Sequence, residues 1–145
     1  MIYTKMTKKA LKLCFEAHKN QLDKSGLTYV FHPFHLAEQM TDELSVTAAL
    51  LHDVIEDTKY TFGDLESMGF DDKVIDALRL LTHDDNDPYM EYVAKIKTNP
   101  IAKAVKLADL RHNSDLSRLD DDMIDEWALL RNKKYEEAIK LLCQD

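Results

Sequence analysis

Leu50-Leu51-His52-Asp53-Val54-Ile55-Glu56-Asp57-Thr58 is the stretch on which the reading of this chain turns. Advanced as a helix at about 100° per residue from His52, it places Glu56, Asp53 and Asp57 at about 40°, 100° and 140°. An imidazole and three carboxylates therefore share one face with the small Ala49. Ala48, Leu50, Leu51, Val54 and Ile55 fill the opposite face, which must be buried against other elements. The expectation is one continuous central helix over about 45–57 that mounts a polar site on a core element. Its acids then crowd toward the helix C-terminus, where the macrodipole disfavours each anion by roughly 0.3–1 kcal/mol. A divalent cation at that face offsets the cost, whereas a plain solvated face of acids leaves it standing.

Outward from this stretch the punctuation is that of a helical protein. Ala10, Leu11, Leu13, Cys14 and Ala17 recur at threes and fours, predicting a helix over 7–21 that Lys24-Ser25-Gly26 ends. His18 in its last turn is read as capping or packing rather than ligation. Pro33 suits a first helical position and restricts His32 to extended geometry at the entrance of a second helix, with His35 one turn on. After the central helix, Thr61 to Asp64 reads as a capping box. Val74, Ile75, Leu78 and Leu81 form a core stripe, and the acidic run from His83 to Asp87 lacks the spaced ligands of a calcium loop, so it reads as solvated. Pro88 opens a helix with Tyr89, Tyr92, Val93 and Ile96, and Asn99-Pro100 caps the next. In that next helix Lys106, Asp109 and Asn113 share a face; Asp109, set among Val105, Leu107, Ala108 and Leu110, must be paired with Arg111 or bound to a metal. A last helix from about Asp121 uses Ile124, Trp127, Leu130, Tyr135, Ile139 and Leu142 for packing. No strand is predicted. The fold class is all-α, seven or eight helices around one core.

With 145 residues, the chain reads as one domain, 1–145, that buries roughly two-thirds of its unfolded surface. Only 3 Gly and 3 Pro leave little room for linkers, and a charge of −8 disfavours nonspecific nucleic-acid or anionic-membrane binding without excluding an anion held by a metal. No stretch approaches the ~18 apolar residues of a membrane span. Lys5, Lys8 and Lys9 are followed by Lys12 and Glu16 rather than by the apolar run of a signal peptide. Cys14 and Cys143, both expected on apolar faces as free thiols, fit a reducing compartment. A cytoplasmic location is the resulting expectation; homo-oligomerisation stays open.

His32, the doublet His52-Asp53 and Asp109 together resemble the metal-binding signature of the HD-domain phosphohydrolases. The resemblance sharpens over about residues 10–115. Ala17-His18, Gln21, Lys24-Ser25-Gly26, Tyr29, His32-Pro33, the run Ala49 to Thr58, Leu81-Thr82, Val105 to Asp109 and Asn113 look like the hydrolase domain of the RelA/SpoT family, in matching order. That family removes the 3′-pyrophosphate of (p)ppGpp, usually with manganese. The resemblance implies a stand-alone hydrolase in which His32, His52, Asp53 and Asp109 bind Mn²⁺, with Fe²⁺ or Zn²⁺ as alternatives for such a nitrogen and oxygen set. The metal would polarise the phosphoryl group and lower the pKa of a bound water. Glu56 and Asp57 match the acids that work with the nucleophilic water. Lys24 and Ser25 should lie near the nucleotide phosphates and Asn113 near the ribose. Two positions depart from the family. Asp23 stands where an Arg that stacks on guanine precedes Lys-Ser-Gly, and Leu110-Arg111 reverses an Arg-Leu pair. Two other readings follow: a generic HD phosphatase or phosphodiesterase for another nucleotide, favoured by Asp23, and a non-catalytic metal- or nucleotide-binding regulator, disfavoured by the intact Glu56-Asp57 pair.

Overall fold

The computed structural model describes all residues, 1–145, and is all-α. Nine α-helices occur, more than expected because the central stretch is split. The axis is α3, Glu43–Leu51, capped by the Asp42 carboxylate on the Ser45 N–H at 2.9 Å; every side chain from Ser45 to Leu51 is buried. Such all-round burial follows from its neighbours. α1 (Lys5–His18), α2 (Phe31–Glu38), α6 (Asp72–Leu81) and α8 (Pro100–Asn113) each pack on it. Leu50 and Leu51 are fully buried, a gain of about 1.5–3 kcal/mol apiece over exposure. α3 is therefore not the amphipathic helix the wheel describes.

The expected continuous helix over 45–57 breaks at His52-Asp53. Asp53 has φ −108° and ψ 2°, and Val54–Asp57 forms a separate one-turn helix, α4. The backbone bends at the two residues that carry the site, so the dipole of α3 ends at His52 and the acids belong to a different turn.

Local caps decide the other boundaries. α1 ends three residues earlier than predicted and opens on a reciprocal capping box between Thr4 and Thr7. α2 includes His32, which is helical rather than extended; Pro33 is tolerated there because first-turn N–H groups have no intrahelical acceptor to lose. The Thr61 and Asp64 box starts α5 (Phe62–Ser67), the predicted core stripe is buried on α6, α7 spans Tyr89–Ile96, and Asn99 Oδ1 caps α8 at 3.0 Å from both Ile101 N and Ala102 N. Two 3₁₀ turns, Leu116–Arg118 and Asp121–Met123, precede α9, Glu126–Cys143, which Asp125 caps. The last helix thus starts five residues beyond Asp121. Three of its expected packing residues are not core: Trp127 is 73% exposed, and Ile124 and Leu130 are exposed as well. Cys14 is buried as expected, with burial raising its thiol pKa to about 12, but Cys143 is exposed. No helix is long and apolar enough to cross a membrane.

Candidate metal centre

Three elements converge on one point. The first turn of α2 presents His32, the break after α3 presents His52 and Asp53, and the middle of α8 presents Asp109. One ligating atom each from His32, His52 and Asp109 lie within 4.8 Å of one another, all three residues buried. His32 Nε2 is 2.9 Å from Asp109 Oδ1, and His52 Nε2 is 3.0 Å from Asp53 Oδ2 and 3.6 Å from Asp109 Oδ1. Asp53 joins the cluster through His52 and is held from outside by the Tyr29 hydroxyl, which donates to its Oδ2.

The hydrogen-bond partners of this cluster set its protonation. His52 Nδ1 donates to the Ala49 carbonyl at 2.7 Å, so a neutral His52 carries its proton there and turns the Nε2 lone pair toward two carboxylates. That Nε2 is buried and aligned with no hydrogen-bond partner. Burial opposes charge on His52, yet Asp53 and Asp109 outweigh it and raise its pKa well above 6.5. Burial likewise opposes the Asp53 and Asp109 anions, but His52 holds Asp53 down to about 2, and Lys106, His32 and His52 hold Asp109 far below the carboxylate range. Near neutral pH that nitrogen holds its extra proton between two fixed anions, a place a divalent cation can take instead of the proton, and two imidazoles with two carboxylates suit a first-row divalent ion.

Asp109 is the hub. Lys106 Nζ lies 2.9 Å from its Oδ2, and Asn113 Nδ2 donates to its Oδ1 at 2.9 Å. Its cationic partner is therefore Lys106; Arg111, which the sequence offered as the alternative to a metal, is exposed and unpaired with it. Lys106 reaches Asp109 because three residues is less than one turn. Glu56 and Asp57, on α4, are exposed at the edge of the cluster. Partial burial of the carboxyl groups first, then the Asp53 charge, raises the pKa of each. The Glu56 carboxylate accepts the backbone N–H of His83, so the His83 loop is not simply solvated: it buttresses a candidate catalytic acid. His18 is fully buried with Nδ1 on Gln21 Oε1 at 2.9 Å, packing against Tyr29, as read from sequence.

Beside the centre lies a pocket of about 330 Å³ lined by Lys24, Ser25, Tyr29, His32 and Asn113, together with Arg118, Arg131 and Tyr135. The substrate residues expected from sequence thus share one cavity with a metal-ligand candidate, while Glu56 and Asp57 are not among its lining residues. Ser25 spends its hydroxyl proton on the Arg118 carbonyl at 2.6 Å, which ties the loop to the 3₁₀ turn. Asp23 proves to be a loop builder. Its Oδ1 accepts the N–H groups of Ser25 and Leu27 at 2.9 and 3.0 Å, framing a turn in which Gly26 takes φ +82°, and its Oδ2 lies 3.8 Å from Arg118. Arg118 and Arg131 escaped the sequence reading because they lie far from the motifs in a stretch read as structural. The Arg131 and Tyr135 spacing of four, on one helix face, is the signal that was available.

The raised pKa of His52 has a testable consequence for the metal-free protein. A group whose folded pKa exceeds its unfolded value stabilises fully below the unfolded value and loses that stabilisation as pH rises through the folded one. His52→Asn keeps a donor near the Ala49 carbonyl but removes the charge. The stability difference between wild type and variant, from urea unfolding without metal, is expected to be largest below pH 6.5 and to shrink as pH rises. A difference constant from pH 5 to 9 would contradict the ion cluster.

No family model matches the chain. A zebrafish (Danio rerio) guanosine-3′,5′-bis(diphosphate) 3′-pyrophosphohydrolase MESH1 is 35% identical over 136 residues, covering 84% of this chain and 73% of that protein. The mouse (Mus musculus) MESH1 is 32% identical, with 90% of each chain covered. The bifunctional (p)ppGpp synthase/hydrolase SpoT of Escherichia coli matches over 68 residues at 41% identity, covering only 10% of its length. A solved structure described as a metazoan orthologue of SpoT that hydrolyzes ppGpp superposes on 99% of this chain and 88% of its own, with a TM-score of 0.77 at 25% identity. The all-helical bundle superposes on that structure, the two vertebrate proteins are more than 30% identical with over two-thirds of each covered, and this chain belongs to the MESH1 family, the small RelA/SpoT-type hydrolases.

Proposed function

We propose that residues 1–145 form one catalytic domain that hydrolyses the 3′-pyrophosphate of guanosine 3′,5′-bis(diphosphate), using a divalent metal held by His32, His52, Asp53 and Asp109. The observation that carries the metal is the buried cluster of His32, His52 and Asp109, whose ligating atoms lie within 4.8 Å of one another, with Asp53 beside His52 and both carboxylates ionised. The substrate class follows from the family and from the adjoining pocket, whose Lys24, Arg118 and Arg131 oppose an anionic nucleotide. When bound, the metal supplies Lewis-acid polarisation of the phosphoryl group and activation of water.

The chain's own groups account for the rest. Water adds to the phosphorus next to the ribose 3′ oxygen, and the bond from that phosphorus to the oxygen breaks. A proton from the water passes to one of Glu56 and Asp57, the pair delivers a proton to the departing 3′ oxygen, and the products are guanosine 5′-diphosphate and pyrophosphate. Their raised pKa values bring these carboxylates closer to neutrality, where a base both accepts and returns a proton. His83 orients Glu56 through its backbone N–H. Lys24 and Arg131 meet the phosphates, and Asn113, already tethered to Asp109, faces the sugar. The loss of an Arg at position 23 does not strip the pocket of guanidinium groups, since Arg118 and Arg131 line it. Manganese is the proposed ion and the cytoplasm the proposed location, the latter supported by two cysteines left unpaired.

The test is product release by metal-stripped protein given back Mn²⁺, with the guanosine bis(diphosphate) beside other nucleotides and cyclic nucleotides. Manganese-dependent release of pyrophosphate, leaving guanosine diphosphate, is expected. Activity confined to the other nucleotides would reassign the substrate. Metal uptake with no turnover on any of them would leave a binding protein.

A further inference from the structure

His32 uses both of its ring nitrogens. Nε2 meets Asp109 Oδ1 at 2.9 Å, and Nδ1 lies 2.7 Å from Nδ1 of His112, with the two rings nearly parallel at 7°. Two imidazole nitrogens at that distance share one proton, so one ring donates and the other accepts. Without metal, the ionised Asp109 takes its hydrogen bond from His32 Nε2–H. Nδ1 of the neutral His32 is then bare, and the shared proton belongs to His112. A metal at Nε2 reverses this requirement: that nitrogen must be bare, the proton of the neutral ring must sit on Nδ1, and His112 must accept it.

We propose that His112 is a positioning residue for the metal centre, and that loading the centre exchanges the tautomers of His32 and His112. The proton balance closes. The Nε2 proton of His32 leaves to water, the shared proton moves from His112 Nδ1 to His32 Nδ1, and His112 Nε2 takes a proton from water. The pair gains and loses none overall. His112 is built for the part. It is only partly buried, its Nε2 makes no hydrogen bond to protein, and its backbone carbonyl is gripped by Arg118 Nη1 at 2.9 Å. Its ring rests against that of His35 at 4.1 Å.

The inference rests on His32 being a metal ligand, and the experiment separates the two claims. Mn²⁺ affinity is measured by titration for wild type, H112F, H112A and H112N, and histidine tautomers are read by nitrogen-15 NMR of wild type before and after Zn²⁺, a diamagnetic stand-in. The phenyl ring of H112F keeps shape and removes the acceptor, whereas H112N offers an amide oxygen near the place of Nδ1. H112F and H112A should bind Mn²⁺ about 10-fold or more weakly, within the range known for such supporting groups, and H112N should recover most of it. On adding Zn²⁺, His32 should change from the Nε2–H to the Nδ1–H form and His112 the opposite way. Unaltered affinity in H112F, or His112 retaining Nδ1–H after Zn²⁺, would overturn the proposal. Wild type that takes up neither ion would overturn the metal reading itself. The NMR arm uses wild type alone and stands even where H112A folds poorly.

Discussion

The double variant Glu56→Gln, Asp57→Asn is expected to take up metal like wild type while losing about 10³-fold or more of its turnover of guanosine bis(diphosphate). Positioned general acids and bases contribute roughly 10²- to 10⁴-fold each, and this variant removes both. The amide of Gln at position 56 still offers an oxygen to the His83 N–H, so the loop over α4 keeps its anchor. Both side chains are exposed, and neither bonds to His32, His52 or Asp109. Metal content and folding therefore act as internal controls, and only proton transfer is lost. Burial, aided by Asp53, raises both carboxyl pKa values, which gives the pair its chemical value; the amides cannot titrate at all. Metal content by elemental analysis and single-turnover rates decide the matter. Hydrolysis at the wild-type rate would remove both residues from the mechanism.

Much of this molecule was legible from sequence because the signals are local. The Thr61 box, the Asn99-Pro100 start and the stripe from Val74 to Leu81 depend on spacings of three or four residues, and the helices begin where those spacings say. The break at His52-Asp53 was not legible. Apolar residues continue in helical phase straight through it, and the break coincides with contacts from distant residues, Tyr29 on Asp53 and Asp109 beside His52. The four ligand candidates were legible as residue types; their supports were not. Tyr29 on Asp53, His83 on Glu56 and Arg118 beside Asp23 are pairings across 24, 27 and 95 positions, which no local pattern encodes. His112, three residues after Asp109, was within reach of a helix-face argument. The exposure of Trp127 marks the opposite failure: a periodic apolar face says that something should cover it, but the fold supplies no element there.

Removing Asp109 should have the larger structural effect. Asp109→Ala takes away the acceptor for His32, Lys106 and Asn113 at once and leaves Lys106, 13% exposed at its side chain, without its counter-ion. Breaking one side of a buried ion pair costs about 3–5 kcal/mol, more than the pair itself contributes, because the surviving charge is stranded. The variant should therefore lose metal uptake and hydrolysis together and unfold at markedly lower urea than metal-free wild type. Adding Lys106→Met to Asp109→Leu distinguishes the two losses. With both charges replaced by apolar groups of similar volume, most of the stability should return while activity stays absent, since no carboxylate is left to hold the ion. A double variant as unstable as Asp109→Ala would mean that His32 and Asn113, rather than Lys106, depend on this carboxylate for the fold. An Asp109→Ala variant with wild-type stability would deny it the central place assigned here.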